Sequence, residues 1–148
     1  FATILGCSDS RVSPELLFDA GFGKLFVIRV AGNVVSSEVM GSLQYAVTHL
    51  GTPLVMVLGH EGCGAVQAAL ATKLGGAPER SRIARLLEDI LPGLGDADEP
   101  PRAVEANVRW SMRQILETPE GRARVAEGRV QLVGAVCELA TGRVRLLA

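Results

Sequence analysis

Two short motifs carry side chains that can bind a metal ion. Residues 7–11 read Cys-Ser-Asp-Ser-Arg and residues 60–63 read His-Glu-Gly-Cys, and each motif follows a short apolar run. Such runs are typical of buried parallel strands, and ligands bind at the carboxyl ends of these strands. Cys7, His60 and Cys63 therefore supply two sulfurs and one imidazole to the same edge of a sheet. Three protein ligands are the number that a catalytic zinc ion uses when its fourth position is left for water.

Asp9 and Arg11 make the first motif more specific than a lone cysteine after a strand. They lie two residues apart in a turn, where a carboxylate and a guanidinium can pair. The alternative is an ordinary surface ion pair beside two core cysteines that bind nothing. We favour the metal site, because chance rarely places all five of these residues at strand ends.

Both motifs resemble the signatures of the β-class carbonic anhydrases, C-x-D-x-R and H-x-x-C. The similarity continues through residues 26–33, 43–50 and 64–66, is looser across the charged middle, and returns at 134–136 and 141–144. The resemblance implies reversible hydration of carbon dioxide to bicarbonate and a proton, by attack of a zinc-bound hydroxide. It also implies that Zn²⁺ is the cofactor.

The resemblance, together with elementary chemistry, assigns roles around the three ligands. Asp9 would accept a hydrogen bond from the hydroxide, and Arg11 would fix Asp9 and keep it ionised. We therefore expect Asp9 to pair with Arg11 and to stay off the metal. The backbone N–H of Gly64, near a helix start, would stabilise the substrate oxygen that gains charge. The alternative role for Gly62 and Gly64 is a plain tight turn.

Tyr45 and His49 match residues proposed in the family for proton transfer, and their spacing puts them on one helical face. Phe26, Ala31 and Tyr45 match the pocket wall of plant-type members, to which a neighbouring subunit contributes. Two alternatives stay open: Phe26 and Tyr45 as core residues, and His49 as a residue near a helix C-terminus.

One departure concerns regulation. Bicarbonate-regulated members have a tryptophan three residues before the first cysteine ligand, and this chain has Ile4 there. Arg29 does match an arginine of their regulatory pocket. Because the tryptophan is missing, we predict that this chain lacks the inhibitory bicarbonate site.

Size and composition indicate one domain with no strong attraction to nucleic acid or membranes. The chain has 148 residues and a net charge of −1, and its apolar runs are too short to span a bilayer. Three cysteines favour a reducing compartment, so we expect a cytoplasmic enzyme, with Cys137 in a structural role. The resemblance implies a homodimer or a dimer of dimers, with the active site near the subunit interface. Because Phe1 opens directly into a strand, we expect a segment to precede it.

Alternating strand and helix patterns predict an α/β fold: a mostly parallel central sheet flanked by helices. Four parallel strands and a C-terminal antiparallel edge strand are predicted at 2–6, 24–30, 54–58, 130–136 and 143–147. The predicted helices are at 13–20, 36–49, 65–74, 78–91, 103–117 and 119–127. A loop is predicted at 92–101, and a two-residue turn at 141–142 is predicted to close the final hairpin.

Three other functions remain open at this stage. The same zinc site could hydrolyse carbonyl sulfide or carbon disulfide, which assays on those gases would show. Cys7 activated by His60 could be the nucleophile of a hydrolase, which metal analysis would decide. The zinc could also be purely structural, but Asp9 and Arg11 argue against that role.

Overall fold

Five strands form one sheet in the order β2-β1-β3-β4-β5 in this computed structural model, which describes residues 1–147. The strands are β1 (Ala2–Gly6), β2 (Leu25–Arg29), β3 (Leu54–His60), β4 (Gln131–Cys137) and β5 (Val144–Leu147). The first four are parallel, and β5 runs antiparallel to β4. The predicted fold class is therefore confirmed.

The order of the strands places a crevice at the ends of β1 and β3. From β1 the chain moves to β2 on one side, and β3 then pairs with β1 on the other side. In open α/β sheets, the point where the direction of winding changes is where ligands bind. Both motifs follow the strands at this point. All of β1 is buried, as is β3 from Val55 to His60, which fixes the two strand ends firmly.

Six α-helices and two short 3₁₀ turns accompany the sheet within residues 1–147. The helices are α1 (Pro14–Leu17), α2 (Ser37–His49), α3 (Gly64–Lys73), α4 (Ser81–Ile90), α5 (Pro100–Glu117) and α6 (Pro119–Ala126), and the turns are Ala31–Asn33 and Leu91–Gly93. Of the two serines at 36 and 37 that could cap α2, it is Ser36 whose hydroxyl does so, by accepting a hydrogen bond from the Val39 N–H. None of these helices combines the length and hydropathy that crossing a membrane would require.

Helix α5 packs directly on β3 and β4 because both strands carry a glycine beneath it. A Cβ on Gly59 would lie 2.6 Å from Cγ2 of Val108, and a Cβ on Gly134 would lie 2.6 Å from the sulfur of Met112. Any larger side chain would push the helix away from the strand that ends in His60. The two glycines thus fix the distance between α5 and the end of β3.

Several local predictions are wrong, including the end of α1, which is Leu17 and not 20, and the start of α4, which is Ser81 and not 78. The final hairpin is not closed by a two-residue turn, because Cys137 pairs with Val144 and the connection spans 138–143. Helix α5 begins at Pro100 and not at 103, since proline suits a first helical turn. Strand β3 continues to His60, two residues beyond its predicted end. The helical spacing of Ile83 with Leu87 and Ile90 predicts that Ile83 faces inward, but this residue is 52% exposed near the start of α4.

Candidate metal centre

The structure brings the three predicted ligands together. Cys7 directly follows β1, His60 is the last residue of β3, and Cys63 is the N-cap of α3. Their two sulfurs and the ligand atom of His60 all lie within 4.8 Å of one another. The three residues are at most 6% exposed. Buried atoms this close can share one ion without a rearrangement of the backbone.

The orientation of the His60 ring suits metal binding. Nδ1 lies 2.7 Å from the carbonyl oxygen of Glu61, which can only accept a hydrogen bond. Nδ1 therefore carries the proton, and Nε2 presents its lone pair to the two sulfurs. Nε2 is buried and has no hydrogen-bond partner in the described part of the chain. A buried nitrogen without a partner costs free energy of folding, so Nε2 suits the role of a metal ligand.

The two thiols also fit a divalent cation. A hydrogen bond with Cys63 lowers the pKa of Cys7, and the same contact raises the pKa of Cys63. Burial lowers the pKa of His60, but the neighbouring Cys7 sulfur and the hydrogen bond with the Glu61 carbonyl outweigh burial and raise it overall. Two neighbouring thiolates repel each other, so a cation between them is what lets both sulfurs ionise. Two thiolates with one neutral imidazole are a donor set typical of zinc.

Asp9 and Arg11 form a bidentate pair beside the three ligands, as predicted. Asp9 Oδ1 accepts hydrogen bonds from the Arg11 backbone N–H at 3.0 Å and from Nε at 2.9 Å, and Oδ2 accepts one from Nη2 at 2.6 Å. The Arg11 guanidinium holds the pKa of Asp9 well below its usual range. Oδ2 lies 3.9 Å from Nε2 of His60. An ionised acceptor thus faces the ligand cluster.

Gly64 opens helix α3 immediately after Cys63. A Cβ at Gly64 would meet no heavy atom within 4 Å, so the space beside this residue is open. Hydrogen bonds from the N–H groups of Val66 and Ala65 lower the pKa of Cys63, although its contact with Cys7 and its burial dominate. The positive end of α3 therefore points at the cluster, which suits developing negative charge.

Comparison with known proteins decides the family. The family model described as "Carbonic anhydrase" matches residues 2–144. The chain belongs to the carbonic anhydrase family. It is 41% identical over 154 residues to carbonic anhydrase 2 of Mycobacterium tuberculosis, covering 98% of this chain and 73% of that protein. It is 39% identical over 153 residues to a carbonic anhydrase of Mycolicibacterium smegmatis, with the same coverage.

Solved structures of carbonic anhydrases share the fold. The Coccomyxa β-carbonic anhydrase in complex with acetazolamide has a TM-score of 0.85 and 30% identity, and the match covers 99% of this chain and 71% of that chain. One of two tetrameric β-carbonic anhydrases from Sordaria macrospora has a TM-score of 0.87 at 24% identity, covering 99% of this chain and 80% of that chain. The general reaction of the carbonic anhydrase family is hydration of carbon dioxide.

Tyr45 and His49 lie in an aromatic cluster of their own. Their ring centroids are 5.0 Å apart, and the Tyr45 ring is 6.2 Å from that of Phe26 on β2. Tyr45 is 51% exposed, so the core alternative is wrong for this residue. Within residues 1–147, neither Tyr45 nor His49 makes a hydrogen bond or ring contact with the three ligands. In this carbonic anhydrase chain, the cluster therefore faces solvent.

Sequence reasoning missed the contacts that Arg29 makes at this centre. From the end of β2, its Nε donates to the Cys7 carbonyl at 2.9 Å, and its Nη2 donates to the Asp9 carbonyl at 2.5 Å. The similarity to regulated carbonic anhydrases matches Arg29 only to a bicarbonate pocket. The contacts span 22 and 20 residues, so no local pattern could have indicated them.

Proposed function

We propose that this chain catalyses reversible hydration of carbon dioxide to bicarbonate and a proton, with Zn²⁺ bound by Cys7, His60 and Cys63. The observation that carries the proposal is the convergence of these three ligand atoms within 4.8 Å, next to an ionised Asp9. Family membership supports the reaction, and the donor set supports the metal. A bound zinc ion supplies Lewis acidity, which makes water a nucleophile at neutral pH.

Asp9 orients the attacking water in this proposal. Its carboxylate is ionised and can accept the water's hydrogen bond, which holds that proton away from carbon dioxide. Arg11 occupies both carboxylate oxygens and also donates to the Gly62 carbonyl at 3.4 Å, so it links the two motifs. Because Asp9 is held in this way, it is kept from moving onto the metal and filling the position that water needs.

Gly64 provides the place for carbon dioxide. Its N–H lies at the first residue of a ten-residue helix, and no atom would meet a Cβ there within 4 Å. A small apolar molecule can therefore approach, and the N–H can stabilise the oxygen on which charge develops. Tyr45 and His49, which lie side by side near solvent, are proposed to pass the released proton outward.

The wider setting is also a proposal. We infer a homodimer or a dimer of dimers, with the active site near the interface, from the resemblance to the β-class enzymes. Cytoplasmic localisation is supported by the three cysteines, all of which are unpaired. Ile4 buried in β1, in place of the tryptophan of regulated members, supports the absence of an inhibitory bicarbonate site.

The test is stopped-flow carbon dioxide hydration on a sample whose zinc content is also measured. We expect one zinc ion per chain and loss of activity on chelation. Cys63→Ser should lose both zinc and activity, whereas Cys137→Ser, which alters a buried thiol outside the ligand set, should keep them. Activity on carbonyl sulfide or carbon disulfide, without hydration of carbon dioxide, would mean that one of these two gases is the substrate. Full activity without metal would overturn the zinc mechanism in favour of a cysteine nucleophile.

A further inference from the structure

A buried hydrogen bond connects the Cys7 sulfur to the turn after β2. The Gly32 N–H donates to Cys7 Sγ at 3.4 Å. A bond of this kind fixes the direction of the lone pairs on the sulfur. The strength of the sulfur as a metal ligand therefore depends on where the Gly32 peptide is held.

Gly32 and Asn33 form a left-handed turn. The φ of Gly32 is +68°, and that of Asn33 is +44°. A Cβ at position 32 would lie 2.8 Å from Cδ1 of Ile90 and 3.1 Å from Cβ of Ala65. Glycine adopts this conformation freely and asparagine tolerates it, so contacts with the rest of the fold are needed to fix the position of the turn. The question is which contacts those are.

Helix α5 supplies two side chains that hold this turn. Asn107 Nδ2 donates to the Gly32 carbonyl at 2.8 Å, and Ser111 Oγ donates to the Asn33 carbonyl at 3.0 Å. The two residues are one helical turn apart, and each is 1% exposed. Asn107 thus contacts the same residue whose N–H reaches the Cys7 sulfur.

Stability alone does not account for an asparagine at position 107. Its Oδ1 is buried without a hydrogen-bond partner among the described residues. An unpaired buried oxygen costs about 1–3 kcal/mol, which offsets the stability that the Nδ2 hydrogen bond to Gly32 contributes. Within residues 1–147, Nδ2 is the only atom of this amide that makes a hydrogen bond, and its partner is the Gly32 carbonyl.

We infer that Asn107 is a positioning residue for the Cys7 thiolate, acting through Gly32. The inference rests on the metal centre proposed above. Asn107 touches neither the ligand cluster nor the place of the substrate; it sets the position of the N–H that hydrogen-bonds the sulfur. A mutation that removes an outer-shell partner of this kind typically weakens metal affinity by about 10- to 100-fold.

The experiment compares Asn107→Ala with wild-type protein by two measurements on the full chain. One is metal affinity by chelator competition, and the other is the thiolate-to-cobalt charge-transfer band of the Co²⁺-substituted protein. Asn107→Ala should bind metal about 10- to 100-fold more weakly and shift the band. Thr52→Val is the control, because it breaks a buried hydrogen bond with Thr3 at the other end of the sheet. It should lower the melting temperature and leave affinity and band unchanged.

Two further measurements keep the inference testable if Asn107→Ala does not fold. Asn107→Leu keeps a similar size, removes the amide donor without adding a buried charge, and should behave in the same way. In wild-type protein substituted with cadmium, the Gly32 amide proton should show scalar coupling to the metal through the sulfur. Unaltered affinity and band in the folded Asn107 variants, or no coupling, would overturn the inference but leave the metal centre intact. If wild-type protein bound cobalt without the thiolate-to-cobalt charge-transfer band, both the inference and the proposed metal centre would be wrong.

Discussion

Replacing Arg11 with alanine is expected to lower kcat/KM while leaving the fold intact. The change removes the two side-chain hydrogen bonds to Asp9 and leaves the one from the backbone N–H at 3.0 Å. Oδ2 of Asp9 is 3.9 Å from Nε2 of His60, so a carboxylate released from Arg11 needs to move little to reach the metal. There it would fill the position that water must occupy.

The size of the effect follows from exposure and geometry. Hydrogen bonds to charged groups contribute about 1.5–3 kcal/mol when they are buried. The Arg11 side chain is 55% exposed and that of Asp9 is 20% exposed, so solvent screens this pair and its own energy is small. The loss of rate comes instead from displacement of the carboxylate that orients the attacking water. A displacement of Asp9 by about 1 Å lowers the rate about 100-fold, so the expected loss of kcat/KM is up to about 100-fold.

The assay is stopped-flow hydration of carbon dioxide, run as a double-mutant cycle with Asp9→Asn. Once Asp9 has lost its charge, Arg11→Ala should have little further effect, since the guanidinium acts through that carboxylate. Arg85→Ala is the matched control, because Arg85 pairs with Glu88 on the exposed surface of α4. It should leave kcat/KM unchanged. Additive losses in the cycle, or full activity of Arg11→Ala, would refute the role assigned to this pair.

Three further predictions concern packing, metal and proton transfer. Gly59→Ala should cost about 1–3 kcal/mol in urea unfolding, because its Cβ would lie 2.6 Å from Val108 Cγ2; an unchanged free energy would contradict the packing of α5 on β3. Zinc at 100 times its dissociation constant should stabilise the fold by about 2.7 kcal/mol, so chelation should lower the melting temperature reversibly; a melting temperature indifferent to zinc would argue against a bound ion. His49→Ala should lower kcat in dilute buffer by up to about 100-fold, with recovery on adding imidazole; a rate that does not respond to buffer would exclude this relay.

The sheet and most helix positions could be predicted from the sequence because their signals are local. Each parallel strand is a short, continuous apolar run, and the serines at 36 and 37 indicate where α2 starts. The convergence of the motif ligands could also be expected, since strands that lie side by side deliver their last residues to one edge. The positions of Cys7 and His60 follow from that rule.

Contacts between distant parts of the chain could not be predicted in this way. Arg29 holds the Cys7 and Asp9 carbonyls, and Asn107 holds Gly32 across 75 residues, and neither contact leaves a periodic pattern. The six-residue hairpin connection was also missed, because its length depends on the pairing of Cys137 with Val144. Tertiary packing decides each of these features, whereas a sequence pattern reports only the preference of neighbouring residues.

X-ray absorption at the zinc edge, on active enzyme, tests the central claim most directly. The proposal predicts two sulfur ligands at about 2.3 Å and one nitrogen ligand at about 2.0–2.1 Å, the distances usual for cysteine and histidine on zinc. Cys63→Ser should remove one sulfur from the pattern. A first coordination shell without sulfur, or active enzyme that contains no zinc, would contradict the assignment of Cys7, His60 and Cys63 as the catalytic metal site.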